Sequence, residues 1–368
     1  MSEFAYPQTP ITQLTFNLTG GRGPACWRCP TPEPHPTNGN GKHFLPLETM
    51  HQAIQEALPL GLRAVRLGGG DPLLHPQIHA LLDLLESFEV SLSIETGGAG
   101  MNQALAAHLA RLPQTRIMIG LSHLADPPHN GGNGRSSTFE TAVQAARLLS
   151  DAGLPPQIIL LLTRQNASQL TNAIQLAEKW GARSVQFVTA QPEPSLHQAS
   201  WNPNLLTVEE LIALGRKVER ELASSTRLSL IFDQPLAFRG LQPQTRLDSQ
   251  EHCTVLNSLS VLVTGEYALC GLASATSPGA DGLIFGKVGA DPLARIWFEH
   301  PILLALHEGM PERLEGVCGR CMLKSACLGH CVAGNYLRSG SLWGPYWFCE
   351  AAERAGLFPA GRLIENRW

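Results

Sequence analysis

Six short runs in the first two-thirds of the chain constrain its fold most. They are "ITQLTFNL" (11–18), "RAVRLGG" (63–69), "VSLSIET" (90–96), "TRIMIGL" (115–121), "QIILLL" (157–162) and "SVQFVT" (184–189). Several are apolar at nearly every position, the pattern of a strand covered on both faces. Amphipathic stretches near 48–57, 76–87, 101–111, 138–152 and 167–180 separate them, and another follows near 207–223. Two of these open on capping boxes, Ser137 with Glu140 and Thr207 with Glu210, which satisfy orphan helix N–H groups reciprocally. Six β-α units in series predict a parallel sheet with right-handed crossovers. A partial barrel and a doubly wound sheet both satisfy that pattern. A chain of 368 residues, 43% of them hydrophobic, can bury a large core and has room for two domains.

After residue 235 the alternation stops, and Pro and Gly punctuate the chain. Seven of the nine cysteines fall in this region. Little periodic apolar surface is visible there, so metal clusters are expected to hold it together. The order is definite: Cys253, eleven residues, Gly265, four residues, Cys270; then Cys318, Cys321, Cys327 and Cys331 in "CGRCMLKSACLGHC"; then Cys349. A structural zinc site takes four ligands and leaves three thiols over. Two iron–sulfur clusters, one with four thiolates and one with three, use all seven. The remaining pair, Cys26 and Cys29, lies in "LTGGRGPACWRCP" near the N-terminus.

A formal charge of −4 gives no argument for nucleic-acid binding. "MSEFAYPQTP" lacks the basic and apolar regions of a signal peptide, and no apolar run approaches the ~20 residues that span a bilayer. The expected location is the cytoplasm, where thiols stay reduced and serve as ligands rather than disulfides.

The spacing CX11GX4C, CX2CX5CX3C and a final Cys resembles the SPASM domain of radical S-adenosylmethionine (SAM) enzymes. That resemblance implies a partial (β/α)6 barrel over 1–235 and an irregular iron–sulfur domain over 236–368. It also implies two auxiliary 4Fe–4S clusters. One would take Cys318, Cys321, Cys327 and Cys349; the other would take Cys253, Cys270 and Cys331 with an unidentified fourth ligand. Upstream, "RLGGGDPLLHP" is similar to the motif that receives the SAM amino group, with Gly69, Gly70 and Asp71 at its positions. "SIETGG" places Glu95 and Thr96 at the third-strand motif, which implies that Glu95 helps bind SAM, and "TRQN" makes Arg164 the candidate for the SAM carboxylate. The segment 311–359 is similar to peptide-modifying members of ribosomal peptide cassettes, the SynChlorMet type. The resemblance therefore implies radical modification of a precursor peptide by hydrogen abstraction. A small leader-binding protein and an electron donor such as ferredoxin or flavodoxin are further implied partners.

The opening stretch departs from that family. Its SAM-binding cluster takes CX3CX2C, and Arg22 stands where the first cysteine belongs. A guanidinium stays protonated and has no lone pair to give iron. The fourth-strand Ser-x-Asp-Gly appears as Gly120, Leu121, Ser122 and His123, and Gly97 replaces an asparagine. Three readings follow: an active peptide maturase, a non-catalytic peptide-binding or electron-relay partner of one, and a zinc-binding structural module. His75, His123 and His129 read as loop or core histidines. Trp343, Tyr346, Trp347 and Phe348 read as a solvent shield for a cluster.

Overall fold

The computed structural model describes residues 9–20, 43–121, 124, 138–192, 204–240, 255–272 and 279–364. Cys26, Cys29, Cys253, Arg22, Ser122, His123, His129 and Ser137 lie outside the described residues. Strands β1 (Gln13–Thr19), β2 (Ala64–Gly69), β3 (Ser91–Thr96), β4 (Thr115–Leu121), β5 (Gln157–Leu162), β6 (Ser184–Thr189) and β7 (Ser229–Phe232) are parallel and lie side by side in chain order. A doubly wound sheet must reverse its strand order at a switch point, whereas barrel winding keeps it. The consecutive order therefore decides for the partial barrel. Helices α1 (Leu47–Ala57), α2 (Ile78–Glu86), α3 (Gln103–Arg111), α4 (Thr138–Asp151), α5 (Leu170–Lys179) and α6 (Val208–Lys217) follow successive strands. The Thr207–Glu210 capping box is formed at the start of α6.

Each strand sorts its side chains by parity. Leu14, Phe16, Val65, Leu67, Leu92, Ile94, Ile117, Ile119, Ile158, Leu160, Val185 and Phe187 enter the core shared with the helices. The alternate positions face the inside of the barrel. On β1 to β3 these include Thr15, Asn17, Arg66, Ser93 and Glu95, only partly buried. On β4 to β6 they include Met118, Ile159 and Val188, which form a separate apolar cluster. The interior thus has a polar side and, toward the strand C-termini, an apolar one, with Gln157 Nε2 donating to Gln186 Oε1 at 3.0 Å nearer the strand starts.

The sheet continues past residue 235. Strand β8 (Ser258–Val261) pairs parallel to β1, and β9 (Glu266–Ala268) and β10 (Ile284–Lys287) extend it antiparallel, for an order β10-β9-β8-β1 through β7. Helices α7 (Leu293–Glu299) and α8 (Pro301–Gly309) then pack Trp297, Leu303 and Leu306 into the barrel's own core cluster. Tyr267 Oη and the Leu293 N–H both donate to Glu56 of α1, and Trp297 Nε1 donates to Thr9 O at 2.7 Å. The expectation that this segment has little apolar surface is corrected. Its strands are three or four residues long, too short to display a period, yet they complete a sheet already built.

Candidate functional site

Parallel strands gather ligand sites at their C-terminal ends, where loops are free to vary. At that edge β1, β2 and β3 are fastened together by one buried acidic residue, through its side chain and its backbone N–H. Asp71, 1% exposed, accepts from the Thr96 hydroxyl at 2.6 Å, the Gly97 N–H at 3.0 Å and the Leu73 N–H at 3.2 Å. Its own N–H donates to Thr19 Oγ1, and the Gly70 N–H donates to Thr19 O. Burial pushes the Asp71 carboxyl above its usual range, against the lowering effect of the Thr96 hydroxyl and the backbone donors. The side chain of Asp71 is therefore spent on architecture. What the motif presents to solvent is the backbone of Gly69, which is exposed, and Gly70, partly so. Gly69 has φ +96°, and a Cβ there would lie 2.8 Å from Thr19 O, so only glycine fits this approach.

Glu95 is held by Arg66 at 2.5 Å, each about four-fifths buried, on the inward face of adjacent strands. Arg66 was missed in the sequence. Its one signal is an arginine between the core residues Val65 and Leu67. Arg164, just beyond β5, gives both guanidinium nitrogens to Glu210, at 2.5 and 2.9 Å, and one of them also to Leu205 O at 3.1 Å. The Thr207 backbone N–H, and secondarily Arg164, hold the Glu210 carboxyl below its ordinary value. The structure thus unites Asp71 with Thr96, and Glu95 with Arg66, while Arg164 is fastened to the start of α6. His75 is a core histidine, with Nε2 2.9 Å from Leu45 O.

Four of the six described cysteines come together. Cys318, Cys321, Cys327 and Cys349 line one cavity together with Pro235, Leu314, Val317 and Phe358. They come from α9 (Gly316–Gly319), the following turn, α10 (Lys324–Cys327) and, through intervening α11 (Val332–Ser339), α12 (Trp347–Arg354). None of the six described cysteines forms a disulfide. Cys331 is not part of that lining; it packs at Gly334, near Gln191. Cys270 is half-buried at the end of β9.

The chemistry of the quartet fits a metal centre. Sharing a hydrogen bond with Cys349 holds the Cys318 thiol down, with help from the Tyr346 N–H, and pushes Cys349 well up. Burial raises Cys321, and burial with the neighbouring Cys318 raises Cys327 to about 11. Four thiols in an apolar shell cannot all ionise unaided; a bound cation releases the protons. Trp343, Tyr346, Trp347 and Phe348 are all buried here, and the Tyr346 N–H donates to Cys318 Sγ at 3.4 Å.

A parallel barrel with a glycine-lined strand edge and a cysteine-rich continuation defines a class. Residues 22–177 match the model of the Radical SAM superfamily, so the chain carries a radical SAM domain, and that family implies a 4Fe–4S cluster and SAM. Over its length the chain is 25% identical across 341 residues to mycofactocin maturase MftC of Mycobacterium ulcerans, spanning 90% of this chain and 86% of that one. It is 20% identical across 339 residues to an AdoMet-dependent heme synthase of Methanosarcina barkeri, spanning 89% and 93% respectively. Its fold is that of Streptococcus suis SuiB bound to the precursor peptide SuiA, with a TM-score of 0.67 at 14% identity, covering 93% of this chain and 76% of that one. Among the described residues no helix is long and apolar enough to cross a membrane.

Proposed function

We propose that this protein is a radical SAM peptide maturase that modifies a ribosomally made precursor peptide by hydrogen abstraction. The observation that carries this reading is full-length kinship, barrel and cysteine-rich region together, with a peptide maturase. When bound, a SAM-binding 4Fe–4S cluster would supply the electron that cleaves SAM to methionine and a 5′-deoxyadenosyl radical. Cys26 and Cys29 are its candidate ligands. The backbone of Gly69 and Gly70 would receive the SAM amino group. Arg164 offers a cation for the carboxylate, and must leave Glu210 to do so. The apolar wall of Met118, Ile159 and Val188 keeps water from the reacting centre, and Arg66 with Glu95 offers a peptide one charge of each sign.

Cys318, Cys321, Cys327 and Cys349 would hold one auxiliary 4Fe–4S cluster, and Cys253, Cys270 and Cys331 a second with a fourth ligand from elsewhere. A leader-binding protein and a ferredoxin or flavodoxin donor complete the proposed system. Thiolate-held clusters would fit a reducing compartment, so the proposed location is the cytoplasm. One observation favours a second reading, a non-catalytic partner of an active maturase: Arg22 in place of a cluster cysteine.

Anaerobic coexpression with a precursor peptide encoded beside it, followed by peptide mass spectrometry, separates the two. A modified mass supports the maturase. An unchanged mass, with SAM and all clusters loaded, supports the partner. Stoichiometric zinc without sulfide would overturn both cluster assignments and leave the zinc module.

A further inference from the structure

A second group of metal-ligating side chains sits on the outer helical layer, away from the strand ends. His79, Asp83 and Glu86 recur along α2 at spacings of four and three, which puts them on one face. That face is exposed. His108, in the last turn of the neighbouring α3, is only 6% exposed. Ligand atoms of Asp83, Glu86 and His108 all lie within 4.8 Å of one another.

The ring of His108 carries the inference. Its Nδ1 lies 3.0 Å from Nδ1 of His79, with the two rings stacked 13° from parallel. Two ring nitrogens at that distance share one proton. When His108 donates it, His79 accepts, and Nε2 of His108 is left with a bare lone pair. That Nε2 is buried and has no hydrogen-bond partner, although Asp83 Oδ1 is 3.2 Å away. The carboxylate oxygen is near but off the direction an N–H bond requires. A buried lone pair flanked by carboxylates is stabilised by a cation between them. The 3.2 Å separation also matches the roughly 3.3 Å edge of a tetrahedron built on metal–ligand bonds of about 2.0–2.1 Å.

We propose that Asp83, Glu86 and His108 form a zinc site, with water as the fourth ligand. His79 is a positioning residue that fixes the His108 tautomer from outside the coordination shell. An imidazole among carboxylates favours Zn²⁺ over Mg²⁺ or Ca²⁺, which take oxygen ligands. The ion would pin α2 to α3, the helices that follow the strands carrying Gly69 and Glu95. The site does not depend on the peptide-maturase reading.

The test is calorimetric titration of Zn²⁺ into the cluster-loaded protein, with X-ray absorption at the zinc edge. We expect one equivalent bound by nitrogen and oxygen alone. Asp83→Asn and Glu86→Gln, both exposed and compatible with folding, should each weaken it at least ~10-fold, and His79→Phe about 10-fold. Iron and sulfide content should stay unchanged in all three. Absent uptake, uptake unaltered by the two carboxamide variants, or sulfur in the zinc shell would each overturn the proposal.

Discussion

Thr96 on β3 donates its hydroxyl to Asp71, beyond the end of β2, across 2.6 Å in a fully buried site. The same hydroxyl accepts from the Gly98 N–H at 2.9 Å, so it relays between the carboxylate and the next turn of chain. This pair, rather than Asp71 alone, fixes the strand edge where SAM is proposed to bind.

Thr96→Val removes both bonds at little change in shape and should cost about 1–2 kcal/mol. Asp71→Ala strands three buried donors and should cost roughly 3 kcal/mol or more. Chemical denaturation under anaerobic conditions checks both. The pH dependence has a definite sign. Because burial raises the folded-state pKa of Asp71 above 3.8, the folded protein holds that proton more tightly. Stability from this group is present below the unfolded pKa and falls as pH rises through the folded one. Asp71→Asn does not titrate, so the wild-type advantage over it should shrink as pH rises from 3.8 through the raised folded-state pKa.

The six strands could be read from sequence almost to the residue. The run 115–121 is β4 and 157–162 is β5, because each strand carries enough apolar positions to show its burial. Strands β7 to β10 were invisible, each only three or four residues long. The grouping of Cys318, Cys321, Cys327 and Cys349, which line one cavity, was implied by the family resemblance and not by local pattern. Arg66 with Glu95, 29 residues apart, and Arg164 with Glu210, 46 apart, were not legible. Local patterns carry no record of which long side chains meet across a fold.

The cysteine quartet predicts a selective loss. Cys327→Ala or Cys349→Ala should remove about four irons and four sulfides per chain, the content of one 4Fe–4S cluster. Cys331→Ala, whose side chain is absent from the quartet's cavity, should leave that cluster in place and affect the other. Iron and acid-labile sulfide analysis with Mössbauer spectra reads the outcome. Loss of the same cluster in all three variants would refute the division.

Arg164 and Glu210 compete with any ligand carboxylate for one guanidinium. Arg164→Ala should weaken SAM binding, measured by anaerobic equilibrium dialysis. Glu210→Gln should strengthen it a few-fold, since a neutral amide holds the arginine less tightly. The cap on α6 is weakened at the same time, so helix content must be followed by circular dichroism. Weaker SAM binding in both variants would instead make the pair a structural clamp.

Arg22 gives the sharpest test of activity. Two thiolates, Cys26 and Cys29, leave two irons of a 4Fe–4S cluster without protein ligands, where the family pattern leaves one. A positive charge in the third position further disfavours binding of a cationic iron cluster core. Arg22→Cys restores CX3CX2C. It should raise iron by up to about four per chain and speed reductive cleavage of SAM to 5′-deoxyadenosine, read by chromatography of the anaerobic reaction. Cys26→Ala and Cys29→Ala should abolish whatever cluster the wild type holds there while sparing the C-terminal iron. Wild-type protein that already carries a full N-terminal cluster and cleaves SAM as fast as Arg22→Cys would show that another group supplies the missing ligand.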